Sequence, residues 1–160
     1  MKHLSQQNFK NLLRLNLGKN QINAEGIKYI STLNTENNNI NLTNLISFDL
    51  TYNKIGKEGM FFLSKINFEN LQGLYLYDNQ IGNEGLKFLT NLKLKNLQFL
   101  NLGDNEIEAE GIKYLLKMDL KNLKILDLSW NKIKKEGIEI FTEIKFENLS
   151  RLNLGNNGIG

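Results

Sequence analysis

The amino-acid sequence predicts an α/β repeat array in which every unit contributes a short strand and then a helix. Three observations carry this. An asparagine recurs at Asn20, Asn53, Asn79, Asn105, Asn131 and Asn157, at one interval of 33 and four of 26 residues, and a fixed period of that size marks a stack of repeats. Each asparagine closes the pattern Leu-x-x-Leu-x-Leu-x-x-Asn-x-Ile, as in Leu71, Leu74, Leu76, Asn79 and Ile81. Leu-x-Leu alternation sends successive side chains to opposite faces, so it reads as a half-buried strand. The period then changes: after Glu84-Gly85, Leu86 and Leu89, with Phe88 and Leu92 more loosely, mark a helical stripe.

Taken in order, the chain opens within the helical half of a unit. Phe9 precedes Leu12 as Phe68 precedes Leu71, which places Leu4 in the column of Leu63 and Leu89. Gln7 then stands in the column of Leu33, Ile66, Leu92, Met118 and Ile144. Repeat one runs from Leu12 through Leu15, Leu17, Asn20 and Ile22 to Ile30. Seven extra residues follow within the polar stretch 34–41 and are expected to bulge as a surface loop. Repeats two to five are regular, with columns Leu45/Leu71/Leu97/Leu123, Phe48/Leu74/Leu100/Leu126 and Leu50/Leu76/Leu102/Leu128. Ile55, Ile81, Ile107 and Ile133 should turn inward. Glu25, Glu58, Glu84, Glu110 and Glu136 should oppose the positive ends of the helices. The glycine after each glutamate is costly in a helix; its recurrence predicts that helix and strand backbones approach too closely there for a side chain. Repeat six supplies Leu149, Leu152, Leu154, Asn157 and Ile159. Residues 1–160 thus read as a single domain of about six repeats, the first and last incomplete, expected to be a segment of a longer array or to be capped by another unit.

Composition narrows the function. The chain has no cysteine, which removes disulfides and thiolate metal sites and fits a reducing, cytoplasmic setting. No stretch approaches the ~20 apolar residues of a membrane span. Net charge is only +3, and the basic residues are nearly all lysine, with Arg14 and Arg151 the two arginines; phosphate forks favour arginine. The only histidine, His3, has no nucleophile or carboxylate at useful spacing, and no phosphate loop is present. No metal, cofactor, small-molecule substrate, nucleic acid or membrane is expected, and no catalysis.

At Leu-x-x-Leu-x-Leu-x-x-Asn-x-Ile the chain resembles the leucine-rich-repeat family, and the trailing x-x-Glu-Gly-Leu/Ile helix is most similar to its ribonuclease-inhibitor-type subgroup. That subgroup includes NOD-like receptor sensor domains and the GTPase-activating protein of the nuclear-transport GTPase. The resemblance covers residues 9–160. It implies a curved, right-handed leucine-rich-repeat solenoid, with a parallel β-sheet on the concave face and helices on the convex face. Such arrays bind very diverse partners.

Within that frame the asparagines read as a structural ladder at the turn after each strand, where an amide can satisfy backbone groups. The glutamates stand on successive helices and do not converge on one substrate. Residues between the leucines face the concave side. Repeats two to five there present Asp49, Asp78, Asp104 and Asp127, with Tyr52, Tyr75, Tyr77 and Trp130 among them. Arg14, Lys19 and Arg151 flank the patch. Aromatic anchors with polar neighbours are what protein interfaces use; alternatively, these rings merely lean on neighbouring strands. The expected function is a protein-interaction module gripping a polypeptide of basic character. Two other readings stay open: a regulator of a small GTPase that presents Arg14 to the partner's phosphoryl-transfer site, or a purely architectural segment. Mutating the aspartates is expected to leave melting nearly unchanged.

Overall fold

A computed structural model describes residues 9, 11–33 and 42–160. The readings made at His3, Leu4 and Gln7, at the Leu33 side chain and at the insert 34–41 lie outside the described residues. Six strands alternate with five helices: β1 (Arg14–Asn16), α1 (Ala24–Leu33), β2 (Ser47–Asp49), α2 (Gly56–Leu63), β3 (Gly73–Tyr75), α3 (Gly82–Leu89), β4 (Phe99–Asn101), α4 (Ala109–Leu115), β5 (Ile125–Asp127), α5 (Lys134–Phe141) and β6 (Arg151–Asn153). A single turn of 3₁₀ helix at Leu42–Asn44 leads into β2.

The strands form one parallel sheet in chain order. Their register is fixed by the middle column, which pairs Leu15 with Phe48, Phe48 with Leu74, Leu74 with Leu100, Leu100 with Leu126 and Leu126 with Leu152. A slip of one residue would turn every one of those side chains to the opposite face. Consecutive helices pack side by side behind the sheet. Between the layers runs the leucine spine, with Leu50, Leu74, Leu76, Leu102, Leu126 and Leu128 wholly buried. Ile55, Ile81, Ile107 and Ile133 turn into it from the loops. The result is an α/β solenoid with its sheet on the concave side.

The expectation for the glycines needs correcting. A Cβ on Gly85 would meet the Ile81 methyl at 2.6 Å and the Lys57 Cα at 3.3 Å. Gly26, Gly59 and Gly137 are crowded in the same way by Ile22, Ile55 and Ile133. The close approach is therefore to the inward isoleucine and to the backbone of the preceding helix, and the strand takes no part in it.

The loops that enter the helices come in two forms. In repeats one and four, Asn23 and Glu108 form isolated parallel bridges with Lys54 and Lys132, and the helix opens on Ala24 or Ala109. In repeats two, three and five it opens one position earlier, on Gly56, Gly82 or Lys134, all with positive φ (60°, 62° and 55°). Each of these N–H groups donates to the carbonyl of the next repeat's asparagine, at 2.8–2.9 Å.

Candidate functional site

The exposed face of the sheet is built from the residues that flank the buried leucines. Asn16, Asp49, Tyr75, Asn101, Asp127 and Asn153 follow the middle leucine and line up across the six strands. All but Tyr75 use a side-chain oxygen to accept the N–H two residues on. Asp49 Oδ1 takes the Thr51 N–H at 2.9 Å, and Asp127 Oδ1 takes both the Ser129 N–H at 2.9 Å and its hydroxyl at 2.6 Å. Asp127 Oδ2 also accepts from Asn153 Nδ2 at 3.1 Å. Asp49 and Asp127 thus each close the turn after their strand as local side-chain acceptors, a role in the fold that the sequence reading did not assign to them. Asp78 and Asp104 differ. Among the described residues no hydrogen bond or ion pair engages either carboxylate.

Asp78 and Asp104 belong to the next column, Lys19, Tyr52, Asp78, Asp104, Trp130 and Asn156, in which every residue is left-handed, with φ between 51° and 59°. The N–H groups of Tyr52, Asp78, Asp104 and Trp130 donate to carbonyls of the following repeat at 2.8–3.0 Å, which holds the backbone in that shape. Asp and Asn tolerate this conformation, whereas a bulky side chain there is a strained outlier. Tyr52 and Trp130 occupy it nevertheless, with exposures of 45% and 58%.

The tyrosines meet one another and the glycines beside them. Tyr52 and Tyr77 stack edge to face, ring centres 5.3 Å apart. Tyr77 lies over Gly103, where a Cβ would come within 2.7 Å of the ring. Tyr75 folds back over Gly73. The Lys19 ammonium sits 5.2 Å from the Tyr52 ring centre. Burial raises the Tyr77 hydroxyl above its ordinary pKa of 10.0, and the negative charge of Asp104, with smaller effects from Tyr52, Asp78 and Asp127, adds to the shift.

On the other side of the middle leucine runs the row Arg14, Ser47, Gly73, Phe99, Ile125 and Arg151, of which sequence reasoning placed the two arginines beside the patch and missed the four between them. Phe99 and Ile125 are half-buried on the same open face, and Phe99, Ser47, Gln72 and Arg14 line a hollow of about 100 Å³ beside Tyr75. The alternation rule that selected Tyr75 also selects these, since residues i and i+2 share a face. The face thus has a small apolar patch, Phe99 and Ile125, in its first row beside Tyr75, and an acidic, aromatic strip along its loop edge.

The asparagine ladder holds that edge. Asn105 Nδ2 donates to the Leu76 and Gly103 carbonyls, both at 2.8 Å, while Oδ1 accepts the Asn79 N–H at 3.0 Å and the Ile81 N–H at 3.3 Å. Asn53 and Asn131 bond the preceding repeat in the same two-way manner. Asn157 does so with one backbone donor, Ile133. Asn20 is exposed, and among the described residues its side-chain amide donates to the carbonyls of Leu17 and Gly18 in its own repeat. Asn79 is the exception within the array: its amide donates to Leu50, Leu76 and Tyr77 carbonyls, but its buried Oδ1 has no partner, because the Asn53 N–H donates to the Asp78 carbonyl instead. A second ladder went unread. Asn70, Asn96, Asn122 and Asn148 each donate to a carbonyl 27 residues earlier, at 2.7–3.3 Å. Its signal was an asparagine before the first leucine of every repeat.

Among the described residues no group of histidine, aspartate or glutamate side chains is placed to hold a metal ion, and no helix is long and apolar enough to cross a membrane. Short parallel strands, helices behind them and asparagine-pinned turns together define a repeat solenoid of the α/β kind. Comparison with known families makes this specific. The profile described as Leucine Rich repeat matches residues 10–31, 41–64, 69–89, 93–116 and 119–139, and the chain belongs to that family. No curated protein matches the chain. Leucine-rich repeats generally mediate protein–protein interaction and are generally not enzymes.

Proposed function

We propose that the chain grips a polypeptide partner on the concave face, with the strip Tyr52–Tyr77–Asp78–Asp104–Trp130 receiving basic side chains. The observation that carries this is the placement of Tyr52 and Trp130 in left-handed backbone. Repeats three, four and six fill the same column with Asp78, Asp104 and Asn156, which adopt that conformation at little cost, and repeat one with Lys19. Strain of this kind persists where it serves a site. Trp130 is the more open of the two, at 58% exposure, whereas Tyr52 rests partly on Tyr77 and Lys19.

The surroundings fit a cation. Asp78 and Asp104 hold carboxylates that no hydrogen bond uses, and Lys19 already lies against the Tyr52 ring, as a partner's lysine or arginine would lie against Tyr77 or Trp130. The apolar patch of Tyr75, Phe99 and Ile125 is available to alternate side chains of an extended segment. Trp130→Asn and Tyr52→Asn, each introducing a residue suited to the column, are expected to weaken capture of the cognate polypeptide by ~2 kcal/mol or more, the mark of an interface hot spot. Steering by Asp78 and Asp104 makes association fall with added salt. Calorimetric titration of the captured partner checks both; affinity unchanged in both variants would remove the reading.

A further inference from the structure

The hollow beside Tyr75 is lined by polar groups that the fold leaves unused. Arg14 comes from β1, Ser47 from β2, Gln72 and Gly73 from the start of β3, and Phe99 from β4. Gly73 is what admits Tyr75: a Cβ there would lie 3.0 Å from the edge of the Tyr75 ring and 3.1 Å from its hydroxyl. Without that Cβ the ring lies back along the sheet and brings its hydroxyl to the hollow. Among the described residues no hydrogen bond or ion pair engages the Arg14 guanidinium, the Ser47 hydroxyl, the Gln72 amide or the Tyr75 hydroxyl. Other polar side chains of this face are occupied, since Asp49, Asn101 and Asp127 each close their own turn. No carboxylate lines the hollow itself. Asp49 lies in the wider adjoining one, of about 350 Å³, which Arg14, Ser47 and Tyr75 share.

We propose that this hollow takes the C-terminal carboxylate of the partner polypeptide, an assignment that rests on the concave-face reading above. One guanidinium with three neutral donors matches a single negative charge, and an arginine fork with hydroxyls beside it suits the two oxygens of a carboxylate. A phosphate group brings a charge of about −1.5 to −2, which one arginine with Asp49 close by does not balance. The surroundings favour a chain end over an aspartate or glutamate side chain. At a chain end the carboxylate and the last side chain leave the same Cα. Phe99 and Ile125, half-buried and paired across β4 and β5, lie beside the hollow to receive an apolar one. From β2 to β5 is three strand spacings of ~4.8 Å, or about four extended residues at ~3.3 Å each. A lysine or arginine about four residues or more before the end then reaches Asp78, Asp104 and Trp130. The face thereby fixes which way the partner lies.

The test titrates the full chain with N-acetyl-leucine while backbone amide resonances are followed by NMR. Three other probes run beside it: the neutral N-acetyl-leucinamide, N-acetyl-glutamate α-methylamide with its carboxylate on the side chain, and N-acetyl-phosphoserine methylamide. N-acetyl-leucine is expected to shift Ser47, Gly73 and Phe99 saturably and to bind about three- to tenfold more tightly than its amide, the factor of a charge-assisted hydrogen bond at an exposed site. Arg14→Gln should bring the acid down to the affinity of the amide, and Tyr75→Phe should weaken it, both with melting unchanged. Trp130→Asn should leave it unaltered, so this subsite and the basic-side-chain strip fail separately. Equal binding of acid and amide, or no saturable shift at all, would overturn the proposal. So would full affinity in Arg14→Gln, or tighter binding of either the glutamate or the phosphoserine probe.

Discussion

Trp130 sets what a single side chain contributes at the residue scale. Its φ of 56° costs about 1–2 kcal/mol for an L-residue, less for Asn. Trp130→Asn should therefore raise the unfolding free energy in urea titrations, by up to about 1 kcal/mol, while partner binding falls. Opposite movement of stability and affinity is the informative outcome. Lys134 makes a simpler case, since it holds at φ 55° a position filled by Gly56 and Gly82 in sister repeats. Lys134→Gly should stabilise by a few tenths to about 1 kcal/mol, the relief of backbone strain exceeding the entropy that glycine adds to the unfolded chain. Tyr77 gives a pH signature. Its hydroxyl pKa is higher folded than unfolded, so the stabilisation is complete below pH 10.0 and is lost as pH rises through the folded value. Between about pH 9 and about pH 11 the wild-type melting temperature should drop further than that of Tyr77→Phe.

At the scale of the element, the turns discriminate between asparagines that look identical in sequence. Removing Asn105 strands two backbone donors, Asn79 N–H and Ile81 N–H, while the Leu76 and Gly103 carbonyls keep Asn79 Nδ2 and the Asp78 N–H as donors. Removing Asn79 strands no backbone donor, because its Oδ1 receives no hydrogen bond, and its carbonyl partners keep Asn53 Nδ2, Asn105 Nδ2 and the Tyr52 N–H. Buried donors are the costlier orphans. Asn105→Ala should thus be the more destabilising of the two by about 1–3 kcal/mol in urea titrations. Nothing in the 26-residue spacing separates these two sites; the difference arises from the backbone path of repeat two. The leucine columns, by contrast, were legible because burial repeats at the period of the chain. So was the buried side of every strand. The two loop forms were not, although Ala24 and Ala109 mark one and Gly56 and Gly82 the other, because the first helical residue depends on hydrogen bonds to the next repeat. Phe99 and Ile125 were hidden for a different reason: their row also holds Arg14, Ser47, Gly73 and Arg151, so no residue type repeats along it.

For the whole molecule, stability is shared between neighbours. Leu102 is fully buried where β4 meets the helical layer, and Leu102→Ala should cost ~2–5 kcal/mol, since packed repeats on both sides prevent the hole from closing. Hydrogen exchange should then rise in the adjacent repeats more than in repeat one, as a linear array transmits damage to nearest neighbours. Uniform acceleration along the chain would indicate a single cooperative unit instead.

The asparagines impose a direction on that array. From Asn53 onward each reaches backward, bonding amides or carbonyls of the repeat made before it. A nascent chain emerges from its N-terminus at ~5–20 residues per second. Every newly exposed turn must consequently stay hydrated until the succeeding 26 residues have left the ribosome tunnel. Translation should fold this protein in steps that lag synthesis by one unit, like a zip fastened by the tooth that comes after.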